Sequence, residues 1–549
     1  MYSNITLFIY ELIHAGIKIW VKDSEIKLFV PEKASFSDQQ KAFIKNNKNS
    51  IISCLESNNV YSKDYEILIL DNKLSQPILS FGQERLWFIE RYTGGTNAYN
   101  IPMVFKLSIN TKLDILEKSI KSIVSRHEIL RTLIKEDNEG NSYQLVLDNE
   151  EAFLEIFTMH KLKDKSTLDK MLGQEINHIY DLSKECPIRV RLYKLFNCNN
   201  KGLNKSTKIN NEQNITECYL SILVHHIAFD DWSSVIFLKE LQAYYCYYYK
   251  NSIGIKTEIN LPKLSIQYKD FALWQKSYIS GDRLNQQINY WKSKLKDHQT
   301  LHLNTETYNP NEINYIGQNS YFELSSELSI ALRKLAQELE VSLHSLLLSG
   351  YYLMLRAYSN QDDIVVGMPV ANRHYSLIKD SIGFFVNSLA LRIKINPEVS
   401  IKEFIQYVGD EVVAAQLNQD LPFEKIVEEL KIEREKNKNP IFQVMFAVQS
   451  FNKELPRTSL LKSDDNSNLA YLMSTYEEAT EMHNVAPFHI STFINDSDTK
   501  LKGVFNYTTS LYTKEIINRF INTYKKVLKK LVSMYRYKKI KLRYLVSNI

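Results

Sequence analysis

Residues 219–232 read YLSILVHHIAFDDW, and this stretch decides both the fold class and the candidate site. Tyr219 to Val224 is a short apolar run, as expected of a strand that is buried in a sheet. Two histidines, His225 and His226, follow it directly, and a helical run from Ser234 to Tyr244 comes next. This order of buried strand, polar turn and helix belongs to an α/β fold.

The histidine pair and the acid that follows it, Asp230, allow three interpretations. A metal site is the weakest, because neighbouring residues on a strand point to opposite faces and cannot chelate one ion together. The second interpretation is a structural pair whose hydrogen bonds are satisfied inside the core. In the third, one histidine faces a channel as a base while its neighbour is held in place.

Composition narrows the class of protein. The 549 residues exceed what one small core needs and indicate two to four structural units. Basic and acidic residues number 68 and 63, a near balance without a dense basic stripe, so we expect no nucleic-acid partner. We find no membrane-length apolar run and no signal peptide. The five cysteines form no Cys-x-x-Cys pair, which predicts free thiols in a reducing cytoplasm and no metal site.

Residues 1–58 are predicted to form a small separate unit. Apolar residues at 5, 8, 9, 12 and 13 share one helical face, and Gly16 is placed as a C-cap. Alternating residues from Ile17 to Val30, with a turn at Lys22–Glu25, predict a hairpin. Ser37 and Gln40 offer a capping box for a further helix. Residues 59–75 are predicted to be a linker.

Beyond residue 76 strands and helices alternate to the end of the chain. The asparagine- and lysine-rich segment 197–216 is predicted to be a surface loop, and 473–484 to be irregular. We expect a strand at 364–368. Helices are predicted at 113–125, 167–179, 284–295 and 327–357.

The chain resembles the condensation domains of nonribosomal peptide synthetases over roughly residues 76–540. The histidine stretch resembles the His-His-x-x-x-Asp-Gly signature of that family. Six further motifs stand in the family's order: SFGQERLWF at 80–88, SRHEILRT at 125–132, YKDFALWQ at 268–275, GMPVANR at 367–373 with IGFFVNSL at 382–389, NQDLPFE at 418–424 and NPIFQV at 439–444.

The resemblance implies a fold of two lobes, each like chloramphenicol acetyltransferase, set as a V-shaped pseudo-dimer. We expect the N-lobe at 76–255 and the C-lobe at 256–549. A channel between the lobes would admit the 4'-phosphopantetheine arms of upstream and downstream carrier domains, and no cofactor would be bound intrinsically. The implied reaction transfers a donor peptidyl or acyl group from its thioester to the amine of an acceptor aminoacyl thioester.

Residue roles follow from the same resemblance. His226, the second histidine, faces the reaction centre as base or positioner of the attacking amine. His225 is its packed, hydrogen-bonded neighbour. Asp230 is implied to form a buried ion pair with Arg373 of the GMPVANR motif.

Two departures from the family pattern concern the site. Asp231 stands where the family has glycine, and its negative charge would oppose an oxyanion that develops nearby. Gly82 replaces a usual alanine, which we expect to be a mild change.

The first unit resembles the TubC-type docking domains found at the N-termini of synthetase subunits. Such a unit would capture the C-terminal tail of an upstream subunit, adding it as a strand to the edge of the hairpin. We expect the contacts from Ile26 and Leu28, with basic side chains at Lys18, Lys22 and Lys27 to attract an acidic tail. The alternative is a plain solubilising cap.

The segment ERYTGGTNAYN at 90–100 resembles the subclass that accepts a donor ending in a D-residue. Heterocyclising relatives carry two aspartates in place of the histidines, which this chain keeps, and we find no further signature of an epimerising domain. The other alternative is a docking or recruitment scaffold impaired in catalysis, suggested by Asp231.

Overall fold

The computed structural model describes residues 5, 8, 9, 12, 17–30, 36–57, 77–196, 215–303, 315–373, 375–432, 439–449, 472–535 and 541–546. The predicted linker, Ile13, Gly16 and most of the predicted 197–216 loop lie outside these residues.

The elements alternate between helix and strand along the chain, as an α/β fold requires. Those up to residue 278 are β1 (Lys18–Lys22), β2 (Glu25–Phe29), α1 (Asp38–Asn46), α2 (Lys48–Ser57), α3 (Phe81–Thr93), β3 (Asn100–Leu107), α4 (Leu113–Arg126), β4 (Thr132–Glu136), β5 (Ser142–Val146), α5 (Asn149–Ile156), β6 (Phe157–Leu162), α6 (Lys165–Ile176), β7 (Ile188–Phe196), β8 (Ile215–His225), α7 (Asp231–Ser252) and α8 (Tyr268–Tyr278). The later ones are α9 (Gly281–Leu295), β9 (Gly317–Glu323), α10 (Ser326–Glu338), α11 (Leu343–Ser359), β10 (Asp363–Val370), β11 (Asn387–Lys394), α12 (Ile401–Leu417), α13 (Phe423–Glu429), β12 (Val444–Gln449), β13 (Met473–Thr475), β14 (Ile490–Asn495), β15 (Lys502–Thr508), α14 (Lys514–Met534) and α15 (Leu542–Val546).

The chain divides into two compact units. The first comprises Met1–Asn285, Arg373–Phe385 and Leu461–His483, and the remainder forms the second. The predicted lobe boundary at residue 255 therefore lies inside the first unit. Long-range contacts account for the difference: the Tyr268 hydroxyl on α8 forms a 2.8 Å hydrogen bond with the Ser80 hydroxyl, a pairing that no local composition indicates.

The N-terminal residues form the predicted hairpin. Strands β1 and β2 pair in antiparallel register, with Lys22 opposite Glu25. The two turn residues between them, Asp23 and Ser24, both have positive φ, at 53° and 57°, as a two-residue hairpin loop requires. The predicted capping box is present, because Ser37 accepts from the Gln40 amide and the Gln40 side chain accepts from the Ser37 amide.

The first unit contains a five-stranded sheet in the order β13-β3-β8-β7-β6. Strand β8 lies at its centre, antiparallel to both β3 and β7. It is buried at every position from Cys218 to His225, which confirms the strand predicted from the apolar run. The sheet thereby carries the histidine pair to the end of a fully buried strand.

The second unit contains a six-stranded sheet in the order β11-β10-β12-β14-β15-β9. Strands β10, β12 and β14 are parallel neighbours, and the other pairings are antiparallel. Helix α11 packs against this unit's core with residues 345–355 all buried. Within the described ranges, no helix combines the length and apolarity that a membrane crossing needs.

Two local predictions were wrong. The continuous helix expected at 327–357 is two helices, because Glu340 adopts a positive φ of 57° and Ser342 caps the second helix by accepting from the Ser345 amide. The segment expected to be irregular at 473–484 contains β13, which pairs with β3 through Thr475 and Phe105. A three-residue strand is too short for an alternating pattern to reveal it.

Candidate active site

The histidine pair lies where the chain leaves the central strand. His225 is the last residue of β8 and stands opposite Asn100 of β3. The amide of His226 donates to the Tyr99 carbonyl at 2.8 Å, and residues 226–228 then form one 3₁₀ turn. Because the strand ends between them, the two imidazoles enter different surroundings.

His225 is fully buried. Its Nδ1 accepts from the Ile227 amide at 3.1 Å, so its Nε2 carries the proton and donates to Glu90 Oε1 at 3.3 Å. The Tyr180 ring packs against it edge to face, with centroids 5.6 Å apart. Both ring nitrogens have partners, as expected of the held neighbour.

His226 is held differently. The residue is partly exposed, while its Nδ1 is buried and has no hydrogen-bond partner within the described part of the chain. The ring of Phe384 packs against it edge to face, with centroids 4.9 Å apart and an interplanar angle of 70°. Desolvation lowers the pKa of His226 below 6.5, and the nearby Asp230 carboxylate partly opposes that change. A neutral imidazole is therefore the favoured form at neutral pH.

Asp230 caps helix α7 and binds Arg373. Its Oδ1 accepts from the Ser233 amide at 2.8 Å and from the Ser233 hydroxyl at 2.7 Å, and its Oδ2 accepts from the Phe385 amide at 3.1 Å. The Arg373 guanidinium donates to the two oxygens at 2.9 and 3.2 Å. The ion pair implied by the resemblance is thus present, inside the first unit.

The other contacts of Arg373 hold a loop. Its guanidinium also donates to the Ile378 carbonyl at 2.9 Å and the Ser381 carbonyl at 2.6 Å, and it lies 4.2 Å from the centre of the Phe385 ring. Burial lowers the pKa of Arg373, and Asp230 opposes that change. The pair therefore fixes the segment 373–385 beside the histidines.

Asp231 is exposed and begins helix α7. It is absent from the described non-glycine residues with positive φ, so the backbone at this position does not require glycine. An acidic residue in the first turn of a helix is favourable to the helix dipole. The family glycine is therefore not needed for backbone geometry here.

Several residues of the site escaped the sequence reasoning. Glu90, which binds His225, also accepts from the Thr96 amide at 2.9 Å. Ser233 bonds to the Gly383 carbonyl and amide at 3.1 Å each, and the Tyr268 hydroxyl donates to the Phe384 carbonyl at 2.7 Å. Glu90, Tyr268 and Phe384 lie in segments that resemble those of the family, and that location is the signal that could have indicated them.

A second buried network lies near this loop. Glu240 of α7 accepts from Arg126 Nε at 2.9 Å and lies 2.9 Å from His127 Nε2. The amide of Ile382 donates to His127 Nδ1 at 3.3 Å. Desolvation lowers the pKa of His127, with Glu240 opposing. Arg126 and Arg131 thus serve internal hydrogen bonds, since Arg131 donates to the Leu147 carbonyl.

The predicted docking residues lie on the hairpin. Lys18 and Lys22 are exposed on β1, whereas Ile26, Lys27 and Leu28 are half-buried on β2. Lys27 forms a 2.7 Å ion pair with Glu25. Among the residues that the structure describes, no group of three or more His, Cys, Asp or Glu side chains is placed to hold a metal ion.

Comparison with known proteins places this geometry in a family. The condensation-domain family model matches residues 74–545. The chain therefore belongs to the condensation domains of nonribosomal peptide synthetases, the acyltransferases that form peptide bonds.

Among its relatives is the N-(5-amino-5-carboxypentanoyl)-L-cysteinyl-D-valine synthase of Amycolatopsis lactamdurans. It is 33% identical over 460 residues, which are 84% of this chain and 11% of the relative. One of the linear gramicidin synthase polypeptides of Brevibacillus parabrevis is 31% identical, over 83% of this chain and 8% of that polypeptide. The chain thus spans about a tenth of the length of these relatives.

A solved structure confirms the mixed α/β fold. The first condensation domain of the CDA synthetase matches with a TM-score of 0.64 at 14% identity, over 85% of this chain and 98% of that one.

Proposed function

We propose that this chain joins a carrier-bound donor peptidyl or acyl thioester to a carrier-bound acceptor aminoacyl thioester, with His226 acting on the attacking amine. One observation carries the proposal: His226, a partly exposed residue at the end of a buried strand, has no hydrogen bond from its Nδ1 within the described residues, while His225, Asp230 and Arg373 are tied into internal bonds. Of these four residues, His226 is the one whose side chain is not bonded to another side chain within the described part of the chain.

The attacking amine does not need a strong base to deprotonate it before the reaction. An α-amino group has a pKa of about 8, so an appreciable fraction is neutral at cytoplasmic pH. The amine nitrogen attacks the thioester carbon and becomes acidic as the C–N bond forms. A neutral imidazole takes or holds that proton. The C–S bond then breaks, and the departing thiolate is protonated to the free thiol of the donor arm.

The low pKa of His226 supports this role. Its ring is ready to accept a proton at neutral pH, and Asp230 stabilises the imidazolium that would form. Alignment of two tethered reactants would supply the rest of the acceleration. The two-lobed, V-shaped arrangement and its channel for the pantetheine arms are part of this proposal.

The test uses the full chain with donor and acceptor carriers, each loaded with its thioester. Elongated product on the acceptor carrier is measured by mass spectrometry. We expect His226→Ala to reduce turnover by about 10²-fold or more, while His302→Ala, at an exposed position, leaves turnover unchanged. Turnover that survives His226→Ala would refute the role of this residue. No turnover by the native chain with carrier binding intact would favour the scaffold alternative.

We further propose that the donor ends in a D-residue. The segment 90–100 is an integral part of the site, because Glu90 at its start binds His225 and the Thr96 amide. Paired donors that differ only at the terminal stereocentre should be consumed at different rates, the D-form faster. Equal rates, or preference for the L-form, would reject this subclass.

The N-terminal hairpin is proposed to dock the C-terminal tail of an upstream subunit in the cytoplasm. Among the described residues, no third strand pairs with β1 or β2, so an edge can accept an extended peptide. The exposed Lys18 and Lys22 would attract acidic side chains.

Fluorescence polarisation of a labelled peptide with alternating apolar and acidic residues tests the docking proposal on the full chain. Lys18→Glu and Lys22→Glu should weaken binding, and Lys45→Glu on α1 should not. Unchanged peptide affinity in both Lys18→Glu and Lys22→Glu would contradict the docking proposal.

A further inference from the structure

No side chain among the described residues binds the Nδ1 of the His226 imidazole. In the common arrangement, a carboxylate or carbonyl binds the ring nitrogen that faces away from the substrate. Here His225 has two such bonds, and the buried Nδ1 of His226 has none within the described residues. Backbone groups of His226 and Phe229 act on this ring, and the packing of neighbouring side chains restricts its rotation further.

Phe384 is the aromatic ring that packs on His226. The centroids lie 4.9 Å apart at an interplanar angle of 70°, the favoured edge-to-face geometry. The backbone around Phe384 is fixed on both sides. The Tyr268 hydroxyl donates to its carbonyl at 2.7 Å, and the amide of Phe385 donates to Asp230 at 3.1 Å.

Gly82 makes room for this ring. A Cβ atom added at Gly82 would lie 2.8 Å from Phe384 Cε1 and 3.1 Å from Cδ1, closer than real side chains approach. Gly82 lies in the first turn of α3, whose cap Ser80 shares a hydrogen bond with Tyr268. The helix end and the Phe384 backbone are thus joined through one tyrosine, and neither can retreat easily. An alanine at position 82 would therefore require the Phe384 ring or the helix end to shift.

We propose that Phe384 is a positioning residue for His226, and that Gly82 determines where the Phe384 ring lies. The proposal rests on the proposed role of His226 in condensation. An aromatic edge restricts the rotation of the imidazole without itself binding either ring nitrogen.

The experiment combines single and double variants of the full chain in the carrier condensation assay. We expect Phe384→Ala to lower kcat about tenfold or more, with KM changed less than twofold, and Phe384→Leu to fall between. Gly82→Ala should lower kcat severalfold in the native background and have no effect in the Phe384→Ala background, where no ring remains to be displaced. Phe153→Ala, which removes a half-buried ring of the same unit, should leave kcat unchanged.

A second readout separates positioning from loss of structure. Besides desolvation, which lowers the His226 pKa, the groups that act on it are Asp230 and the backbone of His226 and Phe229, which raise it, and His225, which lowers it, and the variants remove none of these groups. Because removal of Phe384 admits water to a desolvated ring, the pKa of His226, followed by histidine-selective NMR, should rise in Phe384→Ala. It should not change in Phe153→Ala.

The outcomes are distinguishable. If kcat and the His226 pKa stay native in Phe384→Ala while His226→Ala is inactive, the positioning role is wrong and the proposed function stands. If Gly82→Ala is equally harmful with and without the Phe384 ring, Gly82 acts by another route. If His226→Ala remains active, the proposed function itself fails.

Discussion

The Arg373 guanidinium donates to both carboxylate oxygens of Asp230, at 2.9 and 3.2 Å, across 143 residues of sequence. The exposed fractions of the two side chains are only 2% and 3%. Because the same carboxylate caps helix α7 and binds the Phe385 amide, this pair ties the 373–385 loop to the helix that follows the histidines.

Asp230→Asn should destabilise the protein strongly. The change strands the Arg373 charge in a buried site, which typically costs about 3–5 kcal/mol of unfolding free energy. Denaturant unfolding followed by circular dichroism measures it. Glu217→Gln, which breaks the exposed ion pair to Lys106, is the matched control and should cost far less. Similar losses of unfolding free energy in both variants would mean that the buried ion pair contributes no more to stability than the exposed one.

His226 should titrate below its ordinary pKa of 6.5. Desolvation lowers the pKa of this imidazole, so the neutral, proton-accepting form is fully present above pH 6.5 and is lost as the pH falls through the folded-state pKa. Histidine-selective NMR, assigned with His226→Gln, measures the value directly. A midpoint at or above 6.5 would contradict the desolvated environment.

Replacement of Asp231 should separate activity from stability. Asp231→Gly puts glycine into the first turn of α7 and removes an acid that favours the helix dipole, so we expect a loss of about 1 kcal/mol of unfolding free energy. If its charge opposes the oxyanion, Asp231→Gly and Asp231→Asn should both raise kcat. The condensation assay measures kcat in both variants. An unchanged kcat in both would show that the negative charge of Asp231 does not slow the reaction.

His344 should make the protein sensitive to mild acid. Burial lowers its pKa to about 4, whereas the unfolded chain binds that proton near pH 6.5. Its stabilising effect is therefore complete above pH 6.5 and is lost as the pH falls toward 4, by about 1–3 kcal/mol.

His344→Phe keeps an aromatic ring against Phe446 and should flatten this acid dependence in denaturant unfolding. His302→Phe, at an exposed site, should leave the slope unchanged. If the unfolding free energy of His344→Phe falls as steeply with decreasing pH as that of the native chain, groups other than His344 cause the acid sensitivity.

Local pattern predicted the elements whose signal is contained in a few neighbouring residues. The apolar run before His225 predicted β8, alternation from Ile17 predicted the hairpin, and Ser37 with Gln40 predicted a helix start. It missed the break at Glu340, because a positive φ in a non-glycine residue leaves no mark on hydrophobic periodicity.

By itself, the sequence determined the fold class, the family motifs and the two histidines at a strand end, because these depend on residue type and spacing. Only the tertiary structure decided that Glu90 is the partner of His225 and that the Phe384 ring packs against His226. It also decided that a segment as late as 373–385 belongs to the first unit. These outcomes depend on contacts between side chains more than a hundred residues apart, and such contacts are selected by packing and burial once the chain has folded.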